Sequence, residues 1–186
     1  MIDTGLEGKN EYSGYQYKFV GKIPGYSEFN QCNFIHRFSF RYKNTRGTKR
    51  CIFVDVEEYD HQVFIVKFYL KHLKNSPKRF SATTQDRLCG RVLATCAKIM
   101  LFHFAKVNPY ASFGFIGANG EGEDKHNTIR FRVYSPLAVR LFNPNNYIHA
   151  IKEEISAYII LSRANPDPLL AENVYRMFKK HYEGLA

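Results

Sequence analysis

The chain has 186 residues, of which 27 are Lys or Arg and 17 Asp or Glu, giving a formal charge of +10 with histidine neutral. Apolar residues make up 45% and aromatics 16%, which excludes a disordered chain, since such chains carry too little apolar surface to offset chain entropy. No apolar run approaches the length of a membrane-crossing helix, and no basic-then-apolar leader opens the sequence, so a single cytoplasmic α+β domain over 1–186 is expected.

Residues 1–14 are polar and read as a loosely ordered lead-in. A short strand is predicted over 15–20, and Pro24-Gly25 marks a turn. The next strand, 32–43, alternates cleanly. Phe34, His36, Phe38, Phe40 and Tyr42 share one face, while Asn33, Ile35, Arg37, Ser39, Arg41 and Lys43 share the other. Residues 44–47 (NTRG) form a hairpin turn into a strand over 50–57. A fourth strand covers 62–71, with Phe64, Val66, Phe68 and Leu70 inward and Lys67, Tyr69 and Lys71 outward. The pattern predicts an antiparallel meander with one wet face.

A loop over 72–81 leads to a long central helix over 85–106, capped by Thr83 or Thr84. Leu88, Val92, Cys96 and Ile99 stripe this helix, which implies that it crosses the sheet, and Arg87, Arg91 and Lys98 fall on its narrow polar side. A buried strand is predicted over 111–117. Residues 128–134 fit a strand or a helix equally, with Asn127 as the helix cap. Residues 147–162 favour a helix, although 156–161 also reads as a strand. A last amphipathic helix, opened by Asp167-Pro168, turns Leu170, Val174, Met177, Phe178 and Tyr182 inward.

The cysteines at 32, 51, 89 and 96 show no zinc-site spacing and read as free buried thiols. No histidine pair has metal-ligand spacing, and no cofactor or metal is expected. Charge, by contrast, is segregated. Residues 61–110 hold nine cations and one acid, Asp86, whereas the flanking regions are each close to neutral. Such a local excess attracts polyanions. The candidate nucleic-acid site is therefore Lys67, Tyr69, Lys71, Lys74, Lys78, Arg79, Arg87, Arg91 and Lys98, brought to one side by strand, loop and helix. Cations neutralise phosphates, and the interleaved Tyr69 and Phe80 offer ring faces to unpaired bases, which points to RNA or single-stranded DNA.

Three weaker features follow. The segment 117–126 (GANGEGEDKH) is glycine-rich but lacks a P-loop ending and carries three acids, so it reads as a surface loop. Arg130, just after it, sits beside a hydrogen-bonding group in either secondary structure. His72 with Lys71 and Arg79, or His126 with Arg130, would supply the acid, base and cation of a metal-independent ribonuclease of toxin or defence type. The alternatives to nucleic-acid binding are thus a docking subunit for an acidic protein and this ribonuclease. Surplus aromatics also fit a homo-oligomer.

Overall fold

The computed structural model describes residues 13–25, 32–82, 88–118, 120, 122–124 and 126–182. The predicted meander is present as β1 (Tyr17–Pro24), β2 (Phe34–Lys43), β3 (Lys49–Tyr59) and β4 (Val63–Leu70), each antiparallel to its neighbour. The β2–β3 turn is closed by two residue types suited to it. Gly47 takes the left-handed φ of +76°, and the Asn44 side-chain oxygen accepts from the N–H groups of Arg46 and Thr48.

After β4 the chain crosses the first face of the sheet and returns as β5 (Ser112–Ile116), parallel to β4. The crossover carries α1 (Cys89–Lys98), which continues as a π-helical segment over Ile99–Ala105. The predicted helix of 85–106 is therefore a shorter α-helix with a widened last part. Its proposed cap at Thr83 or Thr84, and its start at 85–87, lie outside the described residues. The widened turn sets two consecutive side chains, His103 and Phe104, against the Phe38 ring, at 4.8 and 6.1 Å between centroids.

The two ambiguous segments resolve differently. Residues 128–134 belong to α2 (Ile129–Leu141), capped by Thr128 rather than Asn127. Residues 147–162 are not a helix. They form the hairpin β6 (Tyr147–Lys152) and β7 (Ala157–Ser162), joined by a 3-10 turn with Ser156 in the left-handed region. β7 lies between β5 and β6, and every one of its residues is buried. A strand covered on both faces has no alternation to display, so its apolar positions mimic a helical period. The sheet order is β1-β2-β3-β4-β5-β7-β6. Last comes α3 (Leu170–Tyr182), where Asp167 accepts from the N–H of Leu169 and from the Asn173 side chain.

The helices cover both faces. On the first, α1, the π segment and α2 pack over Phe38, Phe40, Val54, Phe64, Val66 and Phe113. On the second, Leu170, Val174, Met177 and Phe178 of α3 pack over Ile35, Val63, Ile65, Ile159 and Leu161. Burying Phe178 to 2% exposure contributes roughly 2–3 kcal/mol. The second face is thus dry where α3 lies, and only its other half resembles the wet face expected from the meander. No helix among the described residues is long and apolar enough to cross a membrane.

Candidate nucleic-acid interface

On the second face beyond α3, polar residues from three adjacent strands meet. The register aligns Arg37 of β2, Asp55 of β3 and Lys67 of β4 side by side. Arg37 donates twice to the Asp55 carboxylate, at 2.7 and 2.8 Å, and Tyr69 donates to the same carboxylate at 3.0 Å. Next to them, Lys67 donates to Glu57 at 2.8 Å, and Tyr59 donates to Glu57 at 2.9 Å. Asp55 and Glu57 are 6% and 4% exposed, so both acids of this face are buried against their own cations. Burial, reinforced by the Asp55 charge, pushes the Tyr69 phenol far above its ordinary value, which keeps it a neutral donor.

Farther along this face the charge becomes one-signed. The ends of β2 and β3 and their turn present Arg41, Lys43, Arg46 and Lys49, all exposed. The segment that leaves β4 at the same end of the sheet presents Lys71, Lys74 and Lys78, also exposed, with Arg79 half-buried. No acid occurs in 29–54 or in 61–85, so these two stretches carry no carboxylate of their own to offset the cations. Lys18 of β1, opposite Ser39, faces the same side.

The predicted nucleic-acid residues divide into four groups. Lys71, Lys74, Lys78 and Arg79 lie at this basic end. Lys67 and Tyr69 lie on the same face, but they are spent on Glu57 and Asp55. Arg91 and Lys98 are on α1, which covers the opposite face. Arg91 lies over the Tyr15 ring at 4.2 Å, and Tyr15 stacks on Phe40. The sheet therefore separates Arg91 and Lys98 from the others, and the expected single-sided cluster does not form, because the crossover puts helix and outward strand face on opposite sides. Arg87 lies outside the described residues.

The ring faces are also occupied. Tyr69 is 4% exposed. Phe53 has Arg37 and Lys71 over it at 5.2 and 5.6 Å, and Phe80 has Arg79 over it at 4.6 Å. These cation–π contacts hold the long side chains in place, and they leave little ring surface for bases.

His72 is exposed on a 3-10 turn (Lys71–Leu73), and His126 is exposed in the turn before α2. Among the described residues no hydrogen bond or ion pair joins His72 to Lys71 or Arg79, or His126 to Arg130. Nor does any group of three or more His, Cys, Asp or Glu among them have the geometry to hold a metal ion. Arg130 turns the other way, toward the chain after Arg79. Its guanidinium donates to the carbonyls of Phe80 (2.8 Å), Ala118 (3.0 Å) and Ser81.

Arg130 lines a cavity of about 900 Å³. The cavity exists because β5 pairs with β4 only over residues 63–65, so the rest of β4 has no strand beside it on that edge. The N-terminal turns of α1 and α2 close the gap. Gly117 allows the close approach of α2, since a Cβ there would lie 2.6 Å from Thr128 Oγ1 and 2.7 Å from the Phe131 nitrogen. Inside, burial pushes the Cys89 thiol up to about 11 and the Tyr134 phenol well above its usual range, so both are neutral near pH 7.

Arg41, Lys43, Arg46 and Lys49 escaped the chain-order reading. The signal that finds them is the acid-free run of 29–54, which counting over the first sixty residues averages away. No protein-family model, curated protein or solved structure matches the chain.

Proposed function

We propose that this protein binds nucleic acid through the basic end of its sheet, contacting mainly the phosphate backbone. The observation that carries this reading is the convergence of seven exposed cations, Arg41, Lys43, Arg46, Lys49, Lys71, Lys74 and Lys78, on the end of a sheet face whose strand acids, Asp55 and Glu57, are buried and paired. A polyanion responds to the net positive field of such an end, and phosphate neutralisation releases condensed counterions. The preference for RNA or single-stranded DNA now rests on Phe80 alone, the one half-buried ring of the set.

Salt-titrated filter binding tests the proposal. Engaging about five phosphates gives a slope of log K against log salt near −3.5 on single strands and near −4.5 on duplex. Reversing Lys43, Lys49, Lys74 and Lys78 to Glu should remove most of that slope, whereas reversing Lys179 and Lys180 of α3 should leave it. No binding at low salt, or equal loss in both variants, refutes the proposal. Co-purification of a stoichiometric acidic protein with no nucleic acid would reassign the same patch to a protein partner. RNA recovered from the complex in EDTA should be intact, since among the described residues no hydrogen bond or ion pair joins His72 or His126 to the cations beside it.

A further inference from the structure

The cavity at the β4 edge has no part in that proposal, and its chemistry is different. Its walls are mostly apolar, with Phe68, Val92, Phe115 and Tyr134 inside and Ile129 and Val133, both exposed, at the rim. Its size is that of a site that encloses most of a small organic molecule. Two cationic residues line it, Lys67, which is paired with Glu57, and Arg130, which has no counter-ion among the described residues. Arg130 is half-buried, and no carboxylate among the described residues lies within ion-pair distance.

Glu123 is close enough to feel Arg130. However, its two oxygens accept from the backbone N–H groups of Ile129 and Gly120, at 2.6 and 2.7 Å. Three of the five guanidinium N–H groups are bound to carbonyls, which leaves two donors without a partner among the described residues. Two free donors on one cation match one carboxylate, and a half-buried guanidinium facing only carbonyl dipoles gains from an anion beside it. The α2 N-terminus, with Arg130 in its first turn, adds a positive partial charge on the same side.

We propose that this cavity binds an amphipathic carboxylate, with its head on Arg130 and its hydrocarbon body between the sheet edge and the helices. The probes are sodium decanoate, decanol and decylammonium, three ligands with one chain and three head groups, measured by isothermal titration calorimetry on the full chain. Decanoate should bind about tenfold or more tightly than decanol, and decylammonium more weakly than either. Arg130→Gln should equalise decanoate and decanol. Val133→Trp, a rim position that tolerates bulk, should weaken both about tenfold.

Equal affinity for the three head groups, no decanoate binding, or a preference that survives Arg130→Gln would each overturn the proposal. If Arg130→Gln fails to fold because the 80–82 segment loses its anchor, the wild-type head-group ratio and Val133→Trp decide the question. The nucleic-acid proposal stands or falls separately, because none of its seven cations lines this cavity.

Discussion

Arg37 and Lys67 look like members of the basic face, yet the structure assigns them to the fold, and Asp55→Asn tests that assignment. The Asp55 carboxylate receives two hydrogen bonds from Arg37 and one from Tyr69, and the Arg37 and Asp55 side chains are 13% and 9% exposed. An amide at position 55 turns an N–H toward a guanidinium or a phenol, and it removes the charge that offset burying Arg37. Breaking a buried pair from one side costs about 3–5 kcal/mol. The residual exposure of Arg37 places this case near the lower end, about 3 kcal/mol. That is a large part of the 5–15 kcal/mol typical of a domain.

With an m-value of about 3 kcal/mol/M, the urea midpoint should fall by about 1 M. The combined variant Arg37→Leu, Asp55→Leu, Tyr69→Phe removes the carboxylate and both of its described donors at once, so it should lie within about 1 kcal/mol of wild type. It deletes one cation and one acid, so the salt slope of RNA binding should not change. A loss under about 1 kcal/mol for Asp55→Asn would refute the reasoning on stability. A flattened salt slope in the triple variant would show that Arg37 reaches the polyanion after all.

Two further outcomes are expected. Thr128 is 1% exposed, donates to the Gly117 carbonyl at 2.9 Å and accepts from the Phe131 N–H. Thr128→Val should therefore cost about 2 kcal/mol in urea unfolding, and a cost below about 0.5 kcal/mol would contradict its role as both cap and bridge. The second concerns pH. His149 Nε2 faces the Phe142 carbonyl, which can only accept, so Nε2 carries the proton and Nδ1 accepts from the Tyr158 hydroxyl. Burial lowers the pKa of His149, and also that of His103 and His181, below the ordinary 6.5. The unfolded chain then takes up protons first, so their contribution is complete above about pH 6.5 and is lost as pH falls from there through the folded values. Tm should drop between pH 7.5 and 5.5, and a flat or rising Tm would refute this. Glu123 and Asp167, whose pKa values backbone N–H bonds lower, lose their contribution only in more acidic solution.

What the sequence made legible depended on whether a segment has two unlike sides. β2 does, with Phe38, Phe40 and Tyr42 buried and Arg41 and Lys43 exposed, and its alternation located the strand to within two residues. α3 does too, and Leu170, Val174, Met177 and Phe178 are all buried as expected, while the Tyr182 side chain lies outside what the structure describes. β7 has no unlike sides, so no alternation fixed it, and 156–161 read as a strand only as the alternative to a helix. α2 was ambiguous because its apolar residues serve two environments: Phe131, Ala138 and Leu141 enter the core, while Ile129 and Val133 line the rim of a cavity. The cavity itself was not legible, because it follows from where β5 stops pairing with β4, and no local pattern encodes that.

The candidate site shows the same limit in its charges. Along the chain, 61–110 holds the excess, and 1–60 looks neutral because eight acids, Asp55, Glu57, Glu58 and Asp60 among them, offset its nine cations. An antiparallel meander redistributes those charges, since consecutive strands bring alternate ends together. The β2–β3 turn therefore meets the end of β4, which joins Arg41, Lys43, Arg46 and Lys49 to Lys71, Lys74 and Lys78. Glu58 goes to the far end of the opposite face, where it bonds His36 at 2.7 Å, and Asp60 starts the turn after β3. Asp55 and Glu57 stay on the basic face, but each silences a half-buried cation beside it. The field at the sheet end is therefore set by the seven exposed cations, and fewer than half of these belong to the 61–110 segment where the chain's charge excess lies.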